Sequence, residues 1–302
     1  METRGNKSQP THQLMKFPVR TLVLLLGLSA FTACKKDEAA EPSTPPASSG
    51  LQVLQSATHN GYTVELLNSS GKLEVGYNTV LVRIKDANGH AVENATFTWE
   101  PMMTMDMGGS THQHSCPYST VAASANNPAL YEGYVVFNMA TSSTGFWEMT
   151  LTYDVGNGAN SVTMPVNVLA SDSEFRKRYT SAVGTDGATY LLAMVEPSQP
   201  TTGVNNMVVG LYKRVSGTEF PVVDNYTIRV DPRMPGMGNH GAPGNVDLTQ
   251  GADGFYHGSV GFSMTGYWKI NLIVEDGAGT ALAGNAVTAT EEESSVHFKV
   301  NF

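Results

Sequence analysis

The chain has 302 residues, 41% of them hydrophobic and 15% charged, with a net charge of −9. That length is enough for two domains with cores of their own, while charge well below the roughly 25% of an average soluble domain argues against extensive exposed helix. The acidic balance argues against nucleic-acid binding, and two cysteines build neither a disulfide framework nor a four-thiolate zinc site.

Residues 15–34 read MKFPVRTLVLLLGLSAFTAC. Lys16 and Arg20 give a positive start, and the apolar run from Thr21 to Ala33 is short for a membrane span. Small residues precede Cys34, and FTAC resembles a bacterial lipobox with Phe31 where Leu is preferred. The expectation is a signal peptide over 1–33, with Met15 a candidate start, and a lipid on Cys34. An uncleaved anchor is the alternative. Cleavage removes four basic residues and one acid, leaving 14 basic and 26 acidic residues and a net charge of −12. Residues 34–50 continue as a polar, Pro/Ser-rich tether.

From residue 51 the pattern is β. Runs rich in Val, Thr, Tyr, Phe and Ile alternate with Gly, Asn, Asp and Pro. Predicted strands in the first half are 62–67, 79–85, 95–100, 133–139, 147–153 and 161–168. Asp86-Ala87-Asn88-Gly89 and Gly156-Asn157-Gly158 supply tight reversals. The second half repeats the order with strands at 190–195, 206–212, 226–230, 256–262, 268–274 and 295–300. GYNTVLVRI from Gly76 matches GVNNMVVGL from Gly203, and FNMATSSTGFWEMTL from Phe137 matches FSMTGYWKINL from Phe262. Pro101 before a Met cluster matches Pro232 before Met234 and Met237. These landmarks predict an all-β chain of two tandem immunoglobulin-like antiparallel β-sandwiches, residues 51–170 and 181–302, with a charged linker over 171–180. Trp147 and Trp268 are expected to plug the two cores.

A strand opening with G-x-N, a D-x-N-G turn, a P-M-x-x-M loop and a late aromatic-Met…G-aromatic-Trp segment together resemble the YtkA-like domain. That domain is related to the FixH-like group. The resemblance implies an exported, Ig-like, non-enzymatic module for which copper handling is the suspected role.

Residues 101–117, PMMTMDMGGSTHQHSCP, hold the candidate chemistry. In an extended chain Met103, Met105 and Met107 share one side, and His112, His114 and Cys116 share a side of the next segment. Gly108 and Gly109 allow the chain to fold back between them. Thioether and thiolate suit Cu(I), and imidazole serves both copper oxidation states. Only Asp106 is acidic here, which disfavours calcium or magnesium. Met234, Met237 and His240 form a thinner second set, with His257 and Met264 as further candidates. Met also fills irregular gaps in cores, and a Met-rich loop can present an apolar surface to a partner. Met139 and Met264, at matched strand positions, read as core. With Cys34 lipidated, Cys116 has no partner for a disulfide within the chain.

No G-x-S-x-G elbow, H-E-x-x-H helix or phosphate-cradling loop is present. The reading is a non-enzymatic binding protein of the cell envelope, lipid-anchored to the outer membrane on either face, with copper as its ligand. Its partners would be the membrane and another envelope protein. The alternative is a metal-free interaction or adhesion module contacting an envelope protein or surface glycan.

Overall fold

The computed structural model describes residues 50–302, which belong to one compact unit. The leader, Cys34 and the tether up to its last residue lie outside the described residues. The structure is all-β, its strands antiparallel except for one short parallel pair between Val168–Leu169 and Leu73–Glu74.

The first layered half pairs two sheets. One runs, in spatial order, Gln52–His59, Tyr62–Asn68, Gly76–Lys85, Asn127–Phe137 and Ala122–Ser124. The other runs Ala159–Val166, Gly145–Asp154, Thr96–Asp106 and Thr111–His114. Alternation sends Val64, Leu66, Val82, Ile84, Val135 and Phe137 inward against Phe97, Trp99, Trp147, Leu151 and Tyr153 in one apolar cluster. Turns form where their chemistry allows. The Asp86 carboxylate accepts the amides of Asn88 and His90, and Gly89 takes φ 84°.

The second half has its own apolar cluster, around Tyr190, Leu192, Val209, Tyr256, Phe262, Trp268 and Phe298. One sheet runs Tyr179–Val183, Thr189–Glu196, Gly203–Arg214 and Tyr256–Phe262. Across the core, Thr227–Met234 pairs with Tyr267–Glu275, which also pairs with His297–Asn301. Val246–Gln250 hydrogen-bonds to both layers and joins them at a corner. Both tryptophans are completely buried, as plugs of the two cores.

Gln52–His59, Ala122–Ser124 and Val246–Gln250 are strands beyond those predicted, and two further differences bear on the site. The strand expected to end at Glu100 continues from Thr96 to Asp106, so Met102, Met103 and Met105 belong to a sheet rather than a loop, and Met107 follows it at the turn. Pro101 is accommodated because the neighbouring Thr111–His114 strand pairs only with residues 103–106. Its carbonyl is taken by the Ser115 hydroxyl at 2.6 Å. The other is Tyr179–Val183, which begins inside the segment read as a linker.

Arg178 anchors that strand. Its guanidinium donates to the carbonyls of Pro197 at 2.8 Å, Val195 at 2.9 Å and Met194 at 3.3 Å. Burial lowers its pKa to about 10. The two halves meet where Val136, on the outer face of the first half, packs with Leu191, Ala193 and Tyr212 on the outer face of the second. Phe255 adds ring contacts to Tyr77 at 5.9 Å and Tyr134 at 5.3 Å.

Replacing Arg178 by Met should lower unfolding stability in urea by about 2 to 3 kcal/mol, because three carbonyls lose their donor. Arg178→Lys should recover only part of that loss, since one ammonium cannot reproduce the planar fork.

Candidate metal centre

The segment that carries the methionines and histidines is a β-hairpin. Gly108 and Gly109 take φ 73° and 102°, a backbone region that L side chains rarely adopt. The Met107 amide donates to Ser110 across the turn at 2.9 Å, and the Asp106 carboxylate accepts the Gly109 amide. This turn fixes the register as Met103 opposite His114 and Met105 opposite His112. Directly paired residues in an antiparallel ladder project to the same face, so these four share one face. Thr104, Gln113 and Asp106 occupy the other.

A cavity of about 420 Å³ opens on this face. Met105, Met107, His112 and His114 line it, together with Met139. Sequence reasoning placed Met139 in the core, yet it is 42% exposed. The strand that precedes it ends at Phe137, so alternation no longer governs where Met139 points. Its carbonyl accepts the Trp147 indole N–H at 3.0 Å, which ties it to the buried plug. The pairing of Phe137-Asn138-Met139 with Phe262-Ser263-Met264 was a usable signal, because both methionines recur beside a tryptophan.

Two members of the expected set lie in the core and not at the cavity. Met103 is 1% exposed and packs in the core with its methyl group against Gly145, where a Cβ would lie 2.6 Å from it. Cys116 lies beyond the end of the strand, buried in the same core, and burial pushes its thiol pKa well up. A neutral, inaccessible thiol is neither a good ligand nor a nucleophile.

The two imidazoles are held differently. His114 Nδ1 lies 2.9 Å from the Ser115 carbonyl, so this nitrogen donates and Nε2 keeps its lone pair. That backbone contact is the kind that orients metal-bound histidines. The His114 ring also meets Trp147 edge-on, with centroids 5.6 Å apart. No described residue hydrogen-bonds the His112 ring. No Asp or Glu lines the cavity, and the described residues contain no cluster of three or more His, Cys, Asp or Glu side chains suited to a metal. What the cavity offers is therefore a set of neutral thioethers and imidazoles.

The second half repeats part of the arrangement. Met234 pairs with His240, His240 meets Trp268 edge-on at 5.5 Å, and Trp268 donates to the Met264 carbonyl at 3.0 Å. Met234 is buried, whereas Met237 and Met264 are exposed. Here, however, both ring nitrogens of His240 are engaged, Nδ1 by the Met237 carbonyl and Nε2 by the Ser263 hydroxyl, each at 3.2 Å. The first half has Asn138 where the second has Ser263, and Asn138 Oδ1 is buried without a hydrogen-bond partner. His257 is held by the Asp253 carboxylate at 2.9 Å.

The chain matches no family model and no curated protein. Its likeness to the YtkA-like domain rests on the residues quoted above.

In native protein, Cys116 should react with a disulfide reagent at least about 100-fold more slowly than in urea-unfolded protein, since reaction awaits opening of the core. Equal rates would place the thiol at the surface.

Proposed function

We propose that this chain is a lipid-anchored, non-enzymatic protein of the cell envelope, built of two YtkA-like sandwiches, that binds Cu(I) for buffering or transfer to another envelope protein. The observation that supports copper is the convergence of Met105, Met107, Met139, His112 and His114 on one cavity whose wall carries no carboxylate. Soft neutral donors favour the singly charged, soft cuprous ion over Cu(II) or Zn(II), which draw on imidazole together with anionic ligands. Two or three donors suffice for Cu(I), so His114 and His112 with one thioether would form a minimal set. The remaining methionines provide alternative ligands for handing the ion on. Met103 and Cys116, both buried in the core, leave the metal to the others. Met237 and His240, with Met264, would form the weaker second site, Met234 being buried like Met103, and the His240 Nε2 lone pair must first leave Ser263.

Anaerobic titration of the folded body with Cu(I) against a competing chelator tests this reading. The double variant His112→Ala/His114→Ala should lose about a hundredfold in affinity. Met139→Leu should weaken binding, and Cys116→Ser should leave it unchanged. An unaltered affinity in the double histidine variant would refute the site. Wild-type protein that binds no Cu(I) would point instead to a metal-free interaction module.

The anchor has its own test. Cys34→Ala should abolish partitioning of the expressed precursor into membranes, and equal partitioning of variant and wild type would remove lipidation from the proposal.

A further inference from the structure

The far wall of the cavity belongs to the other half of the molecule. In the sheet of Tyr179–Val183, Thr189–Glu196 and Gly203–Arg214, the register sets Ser181 opposite Leu191, Leu191 opposite Tyr212, and Thr189 opposite Arg214. These side chains share the outer face of that sheet. Leu191 and Tyr212 are buried against the first half, while Ser181, Thr189 and Arg214 continue the same face into the cavity. Arg214 is the only charged side chain in the wall. Its guanidinium forms no ion pair and no hydrogen bond with a described residue.

Charge decides what this wall is for. Every soft donor on the hairpin is neutral, so a cuprous ion there would keep its full positive charge in a cavity that the exposed Arg214 also lines. An anion entering with the metal offsets both charges. The volume, about 420 Å³, leaves room for an organic molecule beside the ion. A guanidinium matches a carboxylate through paired N–H donors, and a thiolate is the strongest small soft ligand for Cu(I).

Resting on the copper reading above, we infer that the cavity binds its metal together with a small organic thiol that bears a carboxylate. The thiol loses its proton to solvent, its sulfur donates an electron pair to the cuprous ion held by the hairpin, and its carboxylate lies on Arg214. No electron is transferred. The two halves then act on one ligand pair, the first holding the metal and the second the anion.

The test uses 3-mercaptopropionate and its uncharged analogue 3-mercapto-1-propanol, titrated calorimetrically into the Cu(I)-loaded protein without oxygen. The carboxylate thiol should bind about tenfold more tightly than the alcohol, the size of one solvent-accessible charge-assisted contact. In Arg214→Gln that ratio should fall to about one, and Arg214→Lys should restore part of it. A wild-type ratio near one, a ratio that survives Arg214→Gln, or copper leaving the protein for either thiol equally would overturn the inference. A chain that binds copper but shows no carboxylate preference refutes this inference alone. A chain that binds no copper in the first titration refutes the underlying reading as well.

Discussion

The structure depends on one strand being buried on both sides. Along Thr189–Glu196, Tyr190, Leu192 and Met194 enter the core of the second half, while Leu191 and Ala193 face Val136 of the first. A strand apolar on both faces cannot leave either in water, so the two halves are pressed together. Everything at their boundary follows. Phe255 meets Tyr77 edge-on and Tyr134 at a tilt, the Ser115 amide reaches the Gly217 carbonyl at 2.7 Å, and Arg176 meets Glu74 at 2.7 Å. The cavity lies where this packing gives way to polar side chains, between the hairpin and the continuation of the same sheet face.

Within the hairpin the controlling factor is register. A slip of one residue would turn Met105 and His112 to the opposite face of the hairpin, where Thr104 lies. The Gly108-Gly109 turn prevents this locally, and the burial of Met103 beside Trp147 and Gly145 prevents it from below. Trp147 serves both core and site. It fills the sandwich, holds the Met139 carbonyl, and packs against the His114 ring. Removing so large a buried ring typically costs about 3 to 5 kcal/mol, so core and site stand or fall together.

The repeated unit in the second half shows how little separates a site from a structural motif. A buried methionine opposite a histidine, a tryptophan beneath, and an exposed methionine tethered by its carbonyl recur at Met234, His240, Trp268 and Met264. Yet Ser263 occupies the nitrogen that His114 leaves open. Ser263 stands where the first half has Asn138, and the Met105–His112 pair has no counterpart in the second half.

Much of this was legible in the chain itself, because it depends on local chemistry. Period-two alternation and turn residues specify β-strands, the Phe–Met–Gly–aromatic–Trp landmarks reveal an internal repeat, and paired glycines between Met and His runs allow a hairpin. The continuous apolar run Tyr190-Leu191-Leu192-Ala193-Met194 also carried a signal of two-sided burial. Spacing alone could not separate Met103 and Cys116, which sink into the core, from Met105 and His112, which reach the cavity. That separation comes from where the inner face of the sandwich ends. Nor could it join Arg214 and Met139 to the hairpin, since both arrive from other parts of the chain through packing that no local pattern encodes. Sequence determined the kinds of donor and their pairing on a strand. Tertiary structure decided which of them meet, because burial and register are set by partners far along the chain.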